Sequence, residues 1–460
     1  MSVKIRWLVA GILCLSVCIA AFWYYRIAHR KKLMISAVAA LKRGNYVEAE
    51  KLGKAALKEA QEFPRDDTRT ADALGVIADA YFAQKQYDEA EPLYRRFLEI
   101  REKLLGAEDP RMADVLYSLA SIESRRGKYP EAEMLYRRAL AISHKALGSG
   151  HEVEGEVLND LALACFSQGK YTEAEPLYRE ALGIFKKTLG PNSRQAAAVL
   201  NNLGLIAHAC GNYSEAVEFH RQSLVIWEKV LGPEAPEVGI GLFNLAEAYR
   251  TLGEAGDRSK YREAEALYPR VYAFLEKASG SNSPQMVNVL MGLARLDWDE
   301  RKYSEVEPLC RRALAIAERT SRPDDPNLAW VLLTLANIYL DLGKDSAAEP
   351  LYKRALAIWE KSPEPWNTGV AHSLNGLARL CVRQGNYSEA EQLLKQSVPI
   401  LEKARESVSP LPVASLLSEY ATALRDYAAL LRKMNKPGAS ELEARAKSVL
   451  ATHTCQRPTK

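Results

Sequence analysis

The side chains in this sequence that could perform chemistry are few and scattered. The chain has no glycine-rich phosphate loop, no pair of cysteines at metal-site spacing and no histidine–glutamate motif of a metalloprotease. His144 and His151 fall on a predicted helix and the connector after it, and we interpret them as surface residues rather than metal ligands. Convergent acid, base and nucleophile groups are not evident. We therefore predict no enzymatic activity, no cofactor or metal, and no small-molecule substrate.

The cysteines favour a core role over a chemical one. Outside the amino-terminal region the chain has five of them: Cys165, Cys210, Cys310, Cys381 and Cys455. Their odd number and unpaired spacing predict no disulfide framework. Three occupy packing positions of the repeat described below, where a cysteine acts as a small core residue. This pattern favours a reducing compartment.

The charge balance also excludes a class of partner. The 62 basic and 58 acidic side chains are almost equal in number, and like charges cluster only at Arg30 to Lys32. Proteins that bind nucleic acids usually concentrate basic residues on one face. We therefore predict no nucleic-acid partner.

A ten-residue stretch, Gly169 to Tyr178, recurs along almost the whole chain. Its first tyrosine has equivalents mostly 42 residues apart, with Asp345 occupying the position once: Tyr46, Tyr87, Tyr129, Tyr171, Tyr213, Tyr261, Tyr303 and Tyr387. A fixed period of this length is typical of a solenoid. Six residues near Gly253 to Arg258 interrupt the period, and we expect them to lengthen one loop.

Each repeat reads as a pair of helices around a turn. In the copy at 156–181 the apolar and small residues recur at helical spacing, and these are Leu158, Leu161, Ala162 and Cys165, then Ala174, Tyr178 and Ala181. The spacing puts each set on one helix face, so the two helices are predicted to pack as a hairpin. A single hairpin cannot bury both of its faces, which makes stacking necessary.

A start signal precedes the second helix of each pair. Thr172 with Glu175 has the spacing of a capping box, in which the first residue is the helix N-cap. The same pattern occurs at Asp88 with Glu91, Ser304 with Glu307, and Ser388 with Glu391. Pro176 is placed in the first turn, where a missing amide hydrogen costs at most one bond.

These residues resemble a known family. Leu161, Ala162, Cys165, Gly169, Tyr171, Ala174, Tyr178 and Ala181 resemble the tetratricopeptide repeat (TPR), and the 42-residue period with connectors such as Leu189 to Pro191 resembles the kinesin light chain form. The resemblance covers roughly nine-tenths of the chain. It implies an all-α fold, a right-handed TPR solenoid of about nine hairpins plus a closing pair over residues 33–452. Residues 453–460 are expected to be a disordered tail.

The amino-terminal region has a different composition. Trp7 to Tyr25 is an uncharged run of 19 residues, about the length of a membrane-spanning helix, with aromatic residues at both ends. We predict a membrane anchor over residues 1–32. A cleaved signal peptide is the alternative, because Lys4 and Arg6 form a basic start and Ala20 or Ala21 could be a cleavage residue. A buried core helix is the third possibility.

Basic residues around this run bear on its orientation. Arg26 and Arg30 to Lys32 follow the run, whereas Lys4, Arg6 and the amino terminus precede it. The positive-inside tendency therefore favours a single-pass protein with a cytoplasmic repeat domain, with the periplasmic or luminal side as the alternative.

The resemblance also indicates where a partner would bind. In TPR arrays the first helix of each pair lines the concave side, and matching positions here gives Asn159, Asn201, Phe243, Met291, Arg295, Trp298, Asn337, Asn375 and Arg379. Amides can hydrogen-bond an extended peptide, and the apolar residues offer pockets for its side chains.

The predicted function is that of a membrane-tethered scaffold that binds a peptide or helix of another protein in this groove. The alternatives are a periplasmic or luminal assembly factor of chaperone type, and a non-catalytic subunit of a larger enzyme or transport complex. A motor-adaptor role is not favoured, because the chain has no heptad segment.

Overall fold

Helices joined by short turns form the described part of the protein. The computed structural model describes residues 3–60, 67–361, 368–407 and 414–451, with side chains from residue 21 onward apart from Leu147 and a few residues beside the gaps. It contains twenty helices over these residues and no strand. The predicted all-α class is therefore confirmed. The predicted tail at 453–460 lies outside the described residues.

The chain divides into two compact units, Met1–Ala164 and Cys165–Lys460. The first contains α1 (Val3–Lys42), α2 (Tyr46–Ala60), α3 (Thr68–Ala83), α4 (Tyr87–Leu105), α5 (Met112–Arg125), α6 (Tyr129–Leu147) and most of α7 (Glu152–Ser167). The second contains α8 (Tyr171–Thr188), α9 (Arg194–Ala209), α10 (Tyr213–Leu231), α11 (Pro236–Glu254), α12 (Lys260–Ser279), α13 (Pro284–Asp299), α14 (Tyr303–Thr320), α15 (Pro326–Asp341), α16 (Asp345–Trp359), α17 (Thr368–Arg383), α18 (Tyr387–Ser407), α19 (Ala414–Lys433) and α20 (Ala439–Ala451).

The repeat period sets the helix boundaries. Odd-numbered helices are the first members of the hairpins, and each even-numbered helix from α2 to α18 begins at the repeat tyrosine, at its substitute Asp345, or one residue before Tyr261. Glycines end several second helices with positive φ, for example Gly106 at 87° and Gly232 at 86°. This conformation suits glycine because it has no Cβ.

Five of the second helices carry a buried tyrosine at one position of the repeat. Five tyrosines in equivalent positions, Tyr94, Tyr136, Tyr178, Tyr268 and Tyr352, are all nearly inaccessible to solvent. The first helix of the next pair meets two of these rings with a glycine, Gly292 against Tyr268 and Gly376 against Tyr352. The predicted stripe from Leu158 to Ala181 is buried as well, which confirms the predicted packing faces.

The predicted capping boxes are wrong. The N-cap of α8 is Lys170, without a side-chain hydrogen bond, so Thr172 already lies inside the helix. The N-caps of α4 and α14 are likewise Gln86 and Lys302 rather than Asp88 and Ser304. The helix starts earlier because the repeat tyrosine must turn inward in its first turn, where Tyr171 packs 5.3 Å from the Phe166 ring.

The glutamates of those predicted boxes form ion pairs instead. Glu91 accepts from Arg95 four residues on, at 2.7 Å, and also pairs with Arg126 of the next hairpin. Glu391 pairs in the same way with Lys395 at 2.8 Å and with Lys436. The glutamates therefore link second helices to the following repeat.

The predicted place of Pro176 also needs correction. Since α8 begins at Tyr171, Pro176 is its sixth residue and lies beyond the first turn. Pro92, Pro308 and Pro350 have the same position in their helices. Each removes one backbone donor, and the helix continues through it.

The six-residue insertion lengthens more than a loop. Helix α11 has 19 residues, whereas the equivalent α9 and α13 have 16, so part of the insertion extends this helix to Glu254. The extension places Gly253 against the ring of Tyr261 and Glu254 within 3.2 Å of buried Arg250. These two contacts hold the extra turn in place.

At the amino end, α1 runs without a break from Val3 to Lys42. Among the described residues, no helix has the length and apolarity needed to cross a membrane. Most of the apolar run from Trp7 to Tyr25 lies where side chains are not described. The domain boundary predicted at 32 and 33 falls inside this helix and stays a prediction.

Two glycine substitutions test the tyrosine contact. Gly376→Ala would put a Cβ 2.1 Å from the Tyr352 ring, and overpacking of this kind lowers the free energy of unfolding by about 1–3 kcal/mol. Gly183→Ala is the matched control, because nothing lies within 4 Å of its Cβ position. In the interior of α8 it should stabilise by about 0.5–1 kcal/mol. Urea unfolding of both variants measures this, and an equal effect of the two would contradict the packing account.

Candidate functional site

The leading candidate site is a groove built mainly by first helices. A cavity of about 640 Å³ lies between α11, α13, α15, the carboxyl end of α14 and the connector after it. Phe243, Met291 and Arg295, three of the nine residues predicted to bind a partner, line it together. Met291 is buried, Phe243 is half-buried and Arg295 is exposed. The groove therefore combines an apolar floor with a cationic rim.

The acids of the groove differ from Arg295 in having partners. Glu247 accepts a hydrogen bond from the Tyr268 hydroxyl, and Asp325 accepts from the Asn327 amide at 2.8 Å as the N-cap of α15. Burial, and then the charge of Glu247, raise the pKa of Tyr268, so this phenol stays protonated. Arg295 makes no hydrogen bond or ion pair within the described part of the chain. Its guanidinium is free to meet an acidic ligand.

Sequence reasoning missed Trp330, which lines the same groove. Its side chain is 39% exposed although its ring packs 5.3 Å from both Trp359 and His372. Trp330 lies one helical turn before Leu333, which is the residue of α15 equivalent to Phe243 and Met291. The predicted concave positions therefore did not include it. A large aromatic residue at the start of a first helix is the signal that could have found it.

Two of the predicted amides are structural. Asn201 is 6% exposed, and its Oδ1 accepts hydrogen bonds from Asn244 Nδ2 and His220 Nδ1, both at 3.0 Å. Asn375 is 5% exposed, and its Oδ1 accepts from the Ser397 hydroxyl at 2.5 Å. The predicted role of these two amides in partner binding needs correction, because both are buried and their repeats use them to join neighbouring helices.

Three other predicted residues also have partners in the chain. Asn337 accepts from the Tyr352 hydroxyl at 2.6 Å, and Trp298 packs 4.8 Å from the Tyr303 ring. Asn159 donates to Asp160 at 3.0 Å. None of the three lines the groove that contains Arg295.

The last predicted residue, Arg379, lies in a second cavity of about 310 Å³ between α15, α17 and α19. It pairs with Asp341 at 3.4 Å, and Asp426 lines the same cavity. Burial raises the pKa of both carboxyl groups, while the charge of Arg379 partly opposes that shift. The positive charge of Arg379 is therefore largely balanced by carboxylates in its own cavity, whereas the charge of Arg295 is not.

The histidines and cysteines are built into the framework. His144 pairs with Glu154, whose backbone amide donates to His151 Nδ1 at 3.1 Å, so the two histidines brace the connector between α6 and α7. Cys165, Cys310 and Cys381 are buried, as predicted, and burial raises the pKa of Cys310 to about 12. A thiol that resists ionisation in this way is a poor nucleophile or metal ligand. Cys455 lies outside the described residues.

The tetratricopeptide repeat family matches residues 33–103, 111–187, 195–257, 298–361 and 347–403. The chain belongs to this family. The matches cover most of the chain and include α11 and α15, whereas all but the last two residues of α13 lie in the unmatched stretch 258–297. No curated protein matches the chain.

Several solved structures are similar to this TPR protein. A putative kinesin light chain from Podosopora anserina, with nearly identical TPR-like repeats, is 28% identical, covers 46% of this chain and 98% of its own, and has a TM-score of 0.39. BtubC (BKLC) from P. vanneervenii is 23% identical over 55% of this chain and 92% of its own, with a TM-score of 0.40. A tetratricopeptide repeat protein from Parabacteroides merdae is 17% identical over 64% and 97%, with a TM-score of 0.45.

His220 gives this TPR protein a predicted acid sensitivity. It occupies the position that is tyrosine in five other repeats, and burial lowers its pKa to about 3 from the usual 6.5. The unfolded chain therefore binds a proton that the folded chain refuses, so stability is complete above pH 6.5 and falls as the pH drops toward 3. The loss between pH 7 and pH 5 should be about 2 kcal/mol.

His220→Gln is the control for this prediction, because glutamine can still reach Asn201 but does not titrate. Urea unfolding at pH 7 and pH 5 should show the extra acid loss in the wild type and not in the variant. An equal loss in both proteins would show that His220 is not its source.

Proposed function

We propose that this TPR protein is an interaction scaffold, without catalytic activity, that binds an extended peptide or a helix of another protein in the groove lined by α11, α13 and α15. Proteins of this family generally mediate protein–protein interactions. The observation that carries the proposal is the placement of unpaired Arg295 beside the apolar side chains of Phe243, Met291 and Trp330. This combination suits a peptide with an acidic residue next to a large apolar one.

Energetics favour an anchor of this kind. An aromatic or aliphatic side chain buried at the centre of an interface contributes most of the binding energy. A charge-assisted hydrogen bond to Arg295 would add about 1.5–3 kcal/mol and fix the orientation of the peptide. Asn288 and Gln285 on the groove wall offer amides to the peptide backbone.

The proposal includes membrane attachment through residues 1–32. It is supported by the uncharged run from Trp7 to Tyr25 and by four consecutive aromatic residues at its end, Phe22 to Tyr25, which are largely exposed on α1. Aromatic side chains in that position suit the membrane interface. Arg26 donates to Glu59 of α2 at 2.7 Å, so the end of the run is tied to the first hairpin. The basic residues after the run favour a cytoplasmic repeat domain.

Charge reversal in the groove tests the binding proposal. Arg295→Glu should reduce recovery of the partners found by proximity labelling in native membranes by about 10-fold or more, since a charge-assisted bond is replaced by repulsion. Stability should change by only about 0.5 kcal/mol, because Arg295 is exposed and unpaired.

Arg262→Glu is the matched control, because Arg262 is exposed on the second helix α12 and has no hydrogen bond or ion pair among the described residues. It should leave recovery of those partners unchanged. Partners retained by Arg295→Glu but lost by Arg262→Glu would contradict the proposal and place their binding on the second helices.

Carbonate extraction tests the anchor. The full-length chain should stay in the membrane pellet, and a double variant Leu13→Lys/Val17→Lys should move to the supernatant, because each charge near the bilayer centre costs about 2.5–3.5 kcal/mol. Release of the wild-type chain would show that the amino end is cleaved or peripheral.

A further inference from the structure

Consecutive second helices are joined by a recurring ion pair. An arginine reaches back to a glutamate near the end of the preceding second helix in three places: Arg138 to Glu102 at 3.1 Å, Arg270 to Glu228 at 2.8 Å, and Arg354 to Glu318 at 2.5 Å. The partners are 36 or 42 residues apart, and the arginines occupy one position of the repeat. We call this pair the latch.

The latch is missing between α8 and α10. Lys186 stands at the glutamate position and Gln222 at the arginine position. Gln222 donates to Glu218 in its own helix at 2.6 Å, and Lys186 is exposed without a hydrogen bond or ion pair among the described residues. The equivalent pair Glu360 and Gln396 also lacks the arginine but keeps the acid.

Glu276 and Arg312 have the residue types of the latch, but Arg312 donates to Tyr272 and Ser281 instead. His144 of α6 also stands at the glutamate position, where it pairs with Glu154. The α8–α10 seam is distinguished by Lys186, a lysine at this position without a partner among the described residues.

A partly apolar cavity lies at this seam. It measures about 490 Å³, and its apolar lining consists of Pro191, Leu200, Val225 and Ile226. Its polar lining consists of Lys186, Asn192, Glu218, Arg221 and Gln222. Val225 is 58% exposed. The other second helices from α2 to α18 have Lys58, Glu99, Ala141, Gly183, Ala273, Ala315, Ala357 and Pro399 at this position. A large aliphatic side chain at this position is therefore particular to the α8–α10 seam.

The residues that line the cavity carry a net positive charge, because Lys186 and Arg221 face a single acid. Its acid, Glu218, is already occupied by Arg221 and Gln222. Lys186 is left as the ammonium group beside an apolar surface, and a carboxylate would meet it as the glutamate of the latch meets its arginine. The last eight residues of this chain do not fit, because they carry Arg457 and Lys460 and no acid.

We propose that the α8–α10 seam is a second docking surface, for a protein segment that presents a carboxylate next to an aliphatic side chain. The carboxylate pairs with Lys186, and the aliphatic side chain covers Val225 in the cavity. The surface is formed by α8, α10, the connector after α8 and Leu200 of α9, and it shares no residue with the groove of α11, α13 and α15. It therefore does not depend on the proposed function of that groove.

A variant that rebuilds the latch tests this. Lys186→Glu with Gln222→Arg should form the ion pair within the chain and remove the site, and it should unfold at an unchanged or slightly higher temperature. A displayed library of short random peptides is selected on the full-length wild type and counter-selected on this double variant. The selected peptides should share an aspartate or glutamate beside leucine, isoleucine or valine.

Their dissociation constants should rise about 10-fold or more on the double variant, as expected for loss of a charge pair at an interface, and several-fold on Val225→Ala. They should be unchanged on Arg295→Glu, which separates this surface from the groove. The proposal is overturned if no peptide distinguishes wild type from double variant, if the distinguishing peptides lack an acid, or if Arg295→Glu weakens them equally.

Discussion

The fit of a large second-helix side chain against a small residue of a first helix is the contact on which the rest of the structure depends. Tyr268 against Gly292 and Tyr352 against Gly376 leave no room for a Cβ, so the distance between consecutive hairpins is set by the ring. Within the hairpin of α9 and α10, the imidazole of His220 lies in the same way against Gly204. Because interiors are close-packed, these contacts constrain how the neighbouring side chains pack.

The polar side chains of the first and second helices then fall into two groups. Some hydrogen-bond to a neighbouring helix, and others have no partner among the described residues. Asn201 and Asn375 serve the stack, because the repeats around them have His220 and Ser397 to hydrogen-bond. Arg295 is left over, and it faces the groove. Lys186 also has no partner in the described part of the chain, on the face formed by the second helices, where it replaces the glutamate of the latch. In this chain, the candidate binding positions are therefore those where a residue differs from the repeat pattern and so lacks the partner that the repeat would provide.

Much of the fold could be predicted from the sequence, because the tyrosine period and the stripe from Leu158 to Ala181 follow directly from helical geometry. The helix starts could not be predicted. The capping pattern places the start of α8 at Thr172, but the tertiary contact of the Tyr171 ring places Tyr171 inside the helix. Of the residues that line the groove, matching repeat positions to the TPR pattern had pointed to Phe243, Met291 and Arg295. It could not tell that Asn201 is enclosed, because that depends on Asn244 and His220 from two other helices.

The central claim is that stacking through second-helix side chains leaves the first-helix face of α11, α13 and α15 as the binding surface. Site-specific photo-crosslinking in native membranes tests it most directly, with one photoreactive residue at a time at Gln285 or Asn288 on α13 and at Arg311 or Lys353 on the second helices. The account predicts that the same partner is joined through both α13 positions and through neither second-helix position. A partner joined through 311 and 353 but not through 285 and 288 would contradict it.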